Sequence, residues 1–258
     1  MKFIYSIISL FILSSCVGGK DLNYTSLSNG EEITDATSTV LDHQPWDDLL
    51  KKHVDDKGFV DYKAFKKDHN ALNEYLQYLN NNAPTKTTSI NEQFAYYINL
   101  YNAATVDLIL ENDMPASIKD ISGPLGQVWL VEQVMISAKA YSLAAVEKNV
   151  LQKMGDPRIH FAINCASFSC PKLQNTAFTA TNLNSLMDKA AEEFINSDKN
   201  DLSDVANPRL SKIFDWYKSD FTDTGVTIIE YINKYANSAI LKDASISYKD
   251  YDWSLNKQ

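Results

Sequence analysis

The chain is poor in positive charge: 24 Lys and Arg stand against 33 Asp and Glu, a net charge of −9 over 258 residues. No basic cluster relieves that balance, so nucleic acid and anionic headgroups are poor partners on electrostatic grounds. Cysteine is scarce as well, with Cys16, Cys165 and Cys170 the full set. There is no GxxxxGK[ST], no GxGxxG after a strand, no HExxH and no GxSxG. These absences remove phosphate loops, dinucleotide folds, zincins and serine hydrolases of the elbow type, and no cofactor is expected. GPLGQVW has two glycines but neither the spacing nor the lysine of a phosphate loop. The 33 acids leave paired-carboxylate glycoside chemistry open, and Trp46, Trp129, Trp216 and Trp253 could form a sugar platform or simply be core.

What is present begins at the N-terminus. Lys2 precedes an apolar run from Phe3 to Leu13, followed by Ser14, Ser15 and Cys16. The layout is that of a secretory signal over residues 1–15, and the run is short for a permanent membrane helix. The Leu-Ser-Ser-Cys ending resembles a bacterial lipobox, which predicts lipidation of Cys16. Residues 16–42 are rich in Gly, Ser, Thr, Asn, Asp and Glu, a composition that reads as a flexible tether. Some 25 such residues span on the order of 25–30 Å. Loss of residues 1–15 removes Lys2 and no acid, leaving 33 acids against 23 bases, a balance of −10. Membrane contact is therefore expected through the N-terminal lipid alone. The expected location is the bacterial cell envelope, periplasmic or surface-facing, with an unknown envelope substrate or partner.

Residues 43–258 make one domain's length. PWDDLLKKHVDD and DYKAFKKDHNALNEYLQYLNNN carry helical spacing, the second ending at Asn80–Asn82 and Pro84. SINEQFAYYINLYNAATVDLILEN is the longest periodic element, with Ser89 and Glu92 spaced as a capping box. It is apolar nearly all round and so should be central. Glu92, Asn99 and Asn102 share an arc of roughly 80° on it, a polar strip suited to holding a neighbouring loop. VWLVEQVMISAKAYSL predicts a hairpin turning near Ser137 and Ala138, and Ser142 caps a helix through Met154. Arg158–Ile163 reads as a strand, Leu183–Asn196 as a helix, Thr227–Asn237 as a helix, and SISYKDYDWSLN as a last strand. The fold class is α+β: a helix-rich single domain with a small, mostly antiparallel sheet.

RIHFAINCASFSCPKL concentrates the chemistry. Cys165 and Cys170 could close a disulfide, the bland reading for an exported protein with two remaining thiols. Alternatively one is a nucleophile with His160 as base. Cys170 precedes Pro171 and could cap a short helix there, which makes Cys170 the first candidate and Cys165 the second. On a regular strand His160 and Cys165 point to opposite faces, so a returning loop would bring Cys170 over the imidazole. Asn164 or Glu132 would orient the ring, with Glu92, Asn99 and Asn102 supporting the loop. A zinc site lacks a fourth ligand, no metal is expected, and inert buried thiols are the fourth reading.

FAYYINLYNAATV, YSLAAVEKNVL and DPRIHFAINCASFSCPKL, with GFVDYKAF and YDWSLN, resemble bacterial members of the family called domain of unknown function 547, over roughly Ser89–Phe221. The resemblance implies an envelope-associated domain and marks Asn102, Arg158, His160, Cys165 and Cys170 as motif positions. It implies no reaction. Members commonly carry Glu-His after the hairpin where this chain has Glu147-Lys148, so a role for that histidine does not transfer. The leading expectation is an exported, lipid-anchored protein of unknown activity, with thiol-dependent acyl or peptide-bond chemistry if it is an enzyme. The alternative is a non-catalytic binding or scaffold lipoprotein with a Cys165–Cys170 disulfide.

Overall fold

The computed structural model describes residues 18–27 and 40–258. The chain opens with α1 (Gln44–His53), α2 (Tyr62–Phe65), α3 (His69–Asn81) and α4 (Ile90–Glu111). Ser89 starts α4 by accepting the Glu92 N–H. The reciprocal half of the expected capping box is not made, because the Glu92 carboxylate accepts the Val40 and Leu41 N–H groups instead. Helix α4 is buried on nearly every side and forms the axis of the larger hydrophobic cluster.

The hairpin pairs β1 (Glu132–Ile136) with β2 (Lys139–Ser142) in antiparallel register. Its turn puts Ser137 and Ala138 at φ 51° and 61°. Neither is glycine, so the left-handed backbone needs outside support. Asn80 gives it, accepting the Ser137 N–H with its carbonyl and the Ala138 N–H with its side chain. Beyond the hairpin Ser142 caps α5 (Leu143–Val146), a π turn spans Glu147–Leu151, and α6 (Gln152–Met154) ends at Gly155 with φ 88°. A π turn inserts an extra residue and so rotates the downstream side chains relative to a regular helix.

Arg158–Ile163 is not a strand. Its centre is a single helical turn, α7 (Ile159–Ala162). Asp156 Oδ1 accepts the Arg158 N–H at 2.9 Å beside the φ-restricted Pro157, which starts a turn. The run is apolar because all four α7 residues are buried, and short buried runs do not distinguish strand from helix. The face-alternation argument separating His160 from Cys165 falls with it.

The remainder comprises α8 (Leu183–Ile195), β3 (Arg209–Leu210), α9 (Ile213–Trp216), α10 (Lys218–Thr222), α11 (Ile228–Asn233) and β4 (Ser247–Tyr248). Strands β3 and β4 pair in parallel. The domain is a helix-rich α+β structure with a small two-stranded antiparallel sheet. Phe161, Phe194, Phe214, Phe221 and Ile232 belong to a second hydrophobic cluster. Helix α7 lies on the seam, with Ile159 and Ala162 in the first cluster and Phe161 in the second. No helix among the described residues is long and apolar enough to cross a membrane.

Residues 1–17, with the expected signal segment and Cys16, and residues 28–39 lie outside the described residues. Residues 18–27, expected within a flexible tether, lie against the domain. Leu22, Tyr24 and Leu27 pack on the core edge. Tyr97 OH donates to the Asn23 carbonyl at 2.7 Å, and Lys139 pairs with Asp21 at 2.7 Å. A few bulky side chains suffice here because backbone groups of the segment also find partners in the domain.

Candidate functional site

The site is built on backbone that α4 holds in place. Asn102 Nδ2 donates to the Ala162 carbonyl at 3.0 Å, and its Oδ1 accepts the Asn164 N–H at 2.8 Å. One buried amide therefore fixes the end of α7 and the start of the cysteine loop. Asn99 does the same for Phe178, donating at 2.7 Å and accepting at 3.0 Å. Glu92, the third member of the strip, serves the N-terminal approach instead, with His43 Nε2 at 3.6 Å.

Asn164 then closes the loop. Its Oδ1 accepts the Ala166 N–H at 2.8 Å and its Nδ2 donates to the Pro171 carbonyl at 2.7 Å. Ala166, fully buried, stands at φ 59°. Lys199 Nζ donates to the Cys170 carbonyl at 2.7 Å and to the Phe168 carbonyl; burial pulls its pKa down. The C-terminal segment clasps the far side: Phe168 N–H donates to the Ser254 carbonyl at 2.7 Å and Asn256 N–H to the Ala166 carbonyl at 3.0 Å. No helix starts at Pro171, so Cys170 is not an N-cap.

The two sulfurs stand 3.0 Å apart as free thiols. Cys165 is partly exposed and Cys170 buried. The Cys165 Sγ also meets Ser167 Oγ at 3.0 Å and Tyr251 OH at 3.5 Å. Hydrogen bonding from the Cys170 thiol lowers the Cys165 pKa to about 7, with Ser167 and Tyr251 adding to it and burial opposing. Burial, and then the neighbouring Cys165, push the Cys170 thiol well above the ordinary range. The accessible, acidic thiol is Cys165, reversing the order read from the sequence.

His160 does not hydrogen-bond to either sulfur. Its Nε2 lies 2.8 Å from Asp220 Oδ2, and its ring stacks on Tyr217 at 4.0 Å. Burial, the largest single influence, raises the Asp220 pKa, but the hydrogen bond and electrostatic attraction of His160, with Ser219 and Lys153, together outweigh it and the net value is lowered. An ionised Asp220 accepts the Nε2–H and leaves Nδ1 as the ring nitrogen free for proton transfer. The orienting residue is thus Asp220. Asn164 is occupied in the loop, and Glu132 is exposed at the start of β1. Arg158 is a structural staple, bonded to Asp156 at 2.7 Å, Asn184 at 2.7 Å and Asp188 at 2.8 Å.

His160, Cys165 and Cys170 line one cavity of about 210 Å³. Residues 85–195 of the chain match the family model for "Protein of unknown function, DUF547". This is the DUF547 stretch. No match was found among curated proteins or among solved structures. The DUF547 stretch contributes α4, the π turn, His160 and both thiols, whereas Asp220, Tyr217, Tyr251 and Trp253 come from beyond it.

Sequence reasoning also missed Glu147, which opens the π turn and accepts the Tyr217 hydroxyl at 2.7 Å and that of Tyr101 at 3.3 Å. Burial and this carboxylate push the Tyr217 pKa up, so the hydroxyl stays a donor. Of the four tryptophans, Trp46 is core and the other three surround the cavity. Among the described residues, metal-type side chains converge at His69, Asp107 and Glu111, not at the cysteine loop.

Proposed function

We propose that the protein is an exported, lipid-anchored envelope protein whose cavity performs thiol-dependent acyl or peptide-bond chemistry. One observation carries this reading: a thiol of lowered pKa and a carboxylate-oriented imidazole line a single cavity. Cys165 is the nucleophile. Its thiolate attacks the acyl carbon, forming a C–S bond as the C–O or C–N bond breaks. His160 Nδ1 takes up the proton that the Cys165 thiol releases as the thiolate forms, and passes that proton to the leaving group. Water then cleaves the thioester, its proton passing to His160, releasing the acid and restoring the thiolate; an alternative acceptor in place of water gives transfer.

The test is intact-mass analysis after incubation with a p-nitrophenyl acyl ester. The expected result is one acyl adduct, mapped to Cys165 and lost in Cys165→Ser. No adduct, or one that persists in Cys165→Ser, contradicts the assignment.

A second reading has its own support in the 3.0 Å between the sulfurs. Oxidation by a disulfide-class oxidant would join them with loss of two protons and two electrons, giving a non-catalytic binding protein with a clipped loop. Free-thiol titration of air-purified protein separates the two: two thiols favour the enzyme, none the clip.

A further inference from the structure

We propose that the mouth of the Cys165 cavity is a lipid-facing surface and that the acyl donor handled there is drawn from a bilayer. The acyl chemistry rests on the proposed thiol reaction; the membrane contact does not. Two of the most exposed large apolar side chains among the described residues stand beside this mouth, Leu125 at 79 % and Trp216 at 47 % exposure. Leu125 sits at the tip of a short loop between Gly123 and Gly126, at φ 56°, and the loop leads directly into Gln127 and Trp129 of the cavity wall. Holding a leucine outward on left-handed backbone gains nothing within the chain. Trp253 joins the two sides, 5.5 Å from the Trp129 ring and 5.8 Å from that of Trp216, with Lys119 Nζ 5.0 Å above it. Tryptophan with a flanking lysine is the composition of a surface seated at headgroup level.

The path of the chain points the same way. The described N-terminal segment begins at Gly18, whose carbonyl accepts Asn149 Nδ2 at 2.8 Å. Asn149 adjoins Lys148, which lines the cavity. Cys16 lies two residues upstream, a reach of about 7 Å. A lipid on Cys16, if the lipobox resemblance holds, would be joined by two residues to a segment that meets the turn carrying Lys148. The charge balance of −10 after residue 15 selects a zwitterionic lipid surface over an anionic one.

The experiment adds the whole chain to phosphatidylcholine vesicles with brominated acyl chains and follows tryptophan emission. Because Trp46 is buried, quenching reports the three cavity tryptophans. The proposal predicts strong quenching, a smaller quenchable fraction in Trp216→Phe, and several-fold weaker quenching in Leu125→Asp with the reaction on a short soluble ester unchanged. No quenching, or quenching that neither substitution alters, overturns it. So does a shift of tryptophan emission by a soluble chito-oligosaccharide without vesicle quenching, which would make the rim a sugar platform. An acyl adduct without quenching keeps the thiol chemistry and removes the lipid; quenching without an adduct does the reverse.

Discussion

Asp220 Oδ2 accepts the His160 Nε2–H at 2.8 Å across 60 residues of sequence. The bond fixes the imidazole tautomer while Tyr217, from the turn leading into the same helix, covers its face at 4.0 Å. Two neighbouring side chains thus set both the plane and the tautomer of the ring.

Asp220→Asn keeps the shape and removes the charge. Catalysis of the p-nitrophenyl ester should fall by about 10²–10⁴ in kcat, the range seen when an orienting carboxylate is lost. KM should change little, because Asp220 is not among the cavity-wall residues. Steady-state kinetics on the folded variant checks this.

The Cys165 thiol titrates at about 7, mainly because Cys170 donates to its charged form. Below that pH the thiol is neutral and alkylation should slow about tenfold per pH unit; above it the rate should level off. In Cys170→Ala the donor is gone, so the midpoint should move up toward the ordinary thiol value of about 8.5. The measurement is the iodoacetamide rate at Cys165 from pH 5 to 10 in both proteins.

Asn102→Ala strands the Ala162 carbonyl and the Asn164 N–H in a buried site. The expected loss is about 2–3 kcal/mol by urea denaturation, from leaving buried polar groups unmade. The cysteine loop loses its tie to α4, and selective labelling of Cys165 should weaken along with it.

Gly58→Ala attacks the loop from outside. Gly58 stands at φ +83°, and an added Cβ would lie 2.2 Å from Lys172 Cβ, on the chain leaving Cys170. Left-handed strain alone costs about 1–2 kcal/mol, and the clash with backbone-proximal atoms adds to it. Thermal denaturation should show a lower midpoint than for Gly126→Ala, which at φ +71° carries the left-handed strain but meets nothing within 4 Å.

Helix α4 was legible because its cap, length and all-round apolarity agree. The support role of Asn99 and Asn102 was legible because buried amides on an apolar helix need backbone partners. The strand assigned to Arg158–Ile163 failed because the Asp156–Pro157 turn decides the backbone, whereas the apolar run reports only burial. The cysteine loop was visible through the rarity of its thiols. Which thiol is the more acidic was not, since that depends on the Cys165–Cys170 hydrogen bond and on Ser167 and Tyr251 meeting one sulfur and not the other. Asp220 and Glu147 carried no local signal: one is an acid in a short polar helix, the other the first residue of a π turn that sequence periodicity does not announce.

The most direct measurement is competitive alkylation of the native reduced protein at pH 7 with substoichiometric iodoacetamide, read peptide by peptide. Cys165 is expected to be modified at least tenfold faster than Cys170, and prior acylation by the p-nitrophenyl ester should block it. Preferential modification of Cys170, or equal slow modification of both thiols, would contradict the assignment of Cys165 as the reactive sulfur of this cavity.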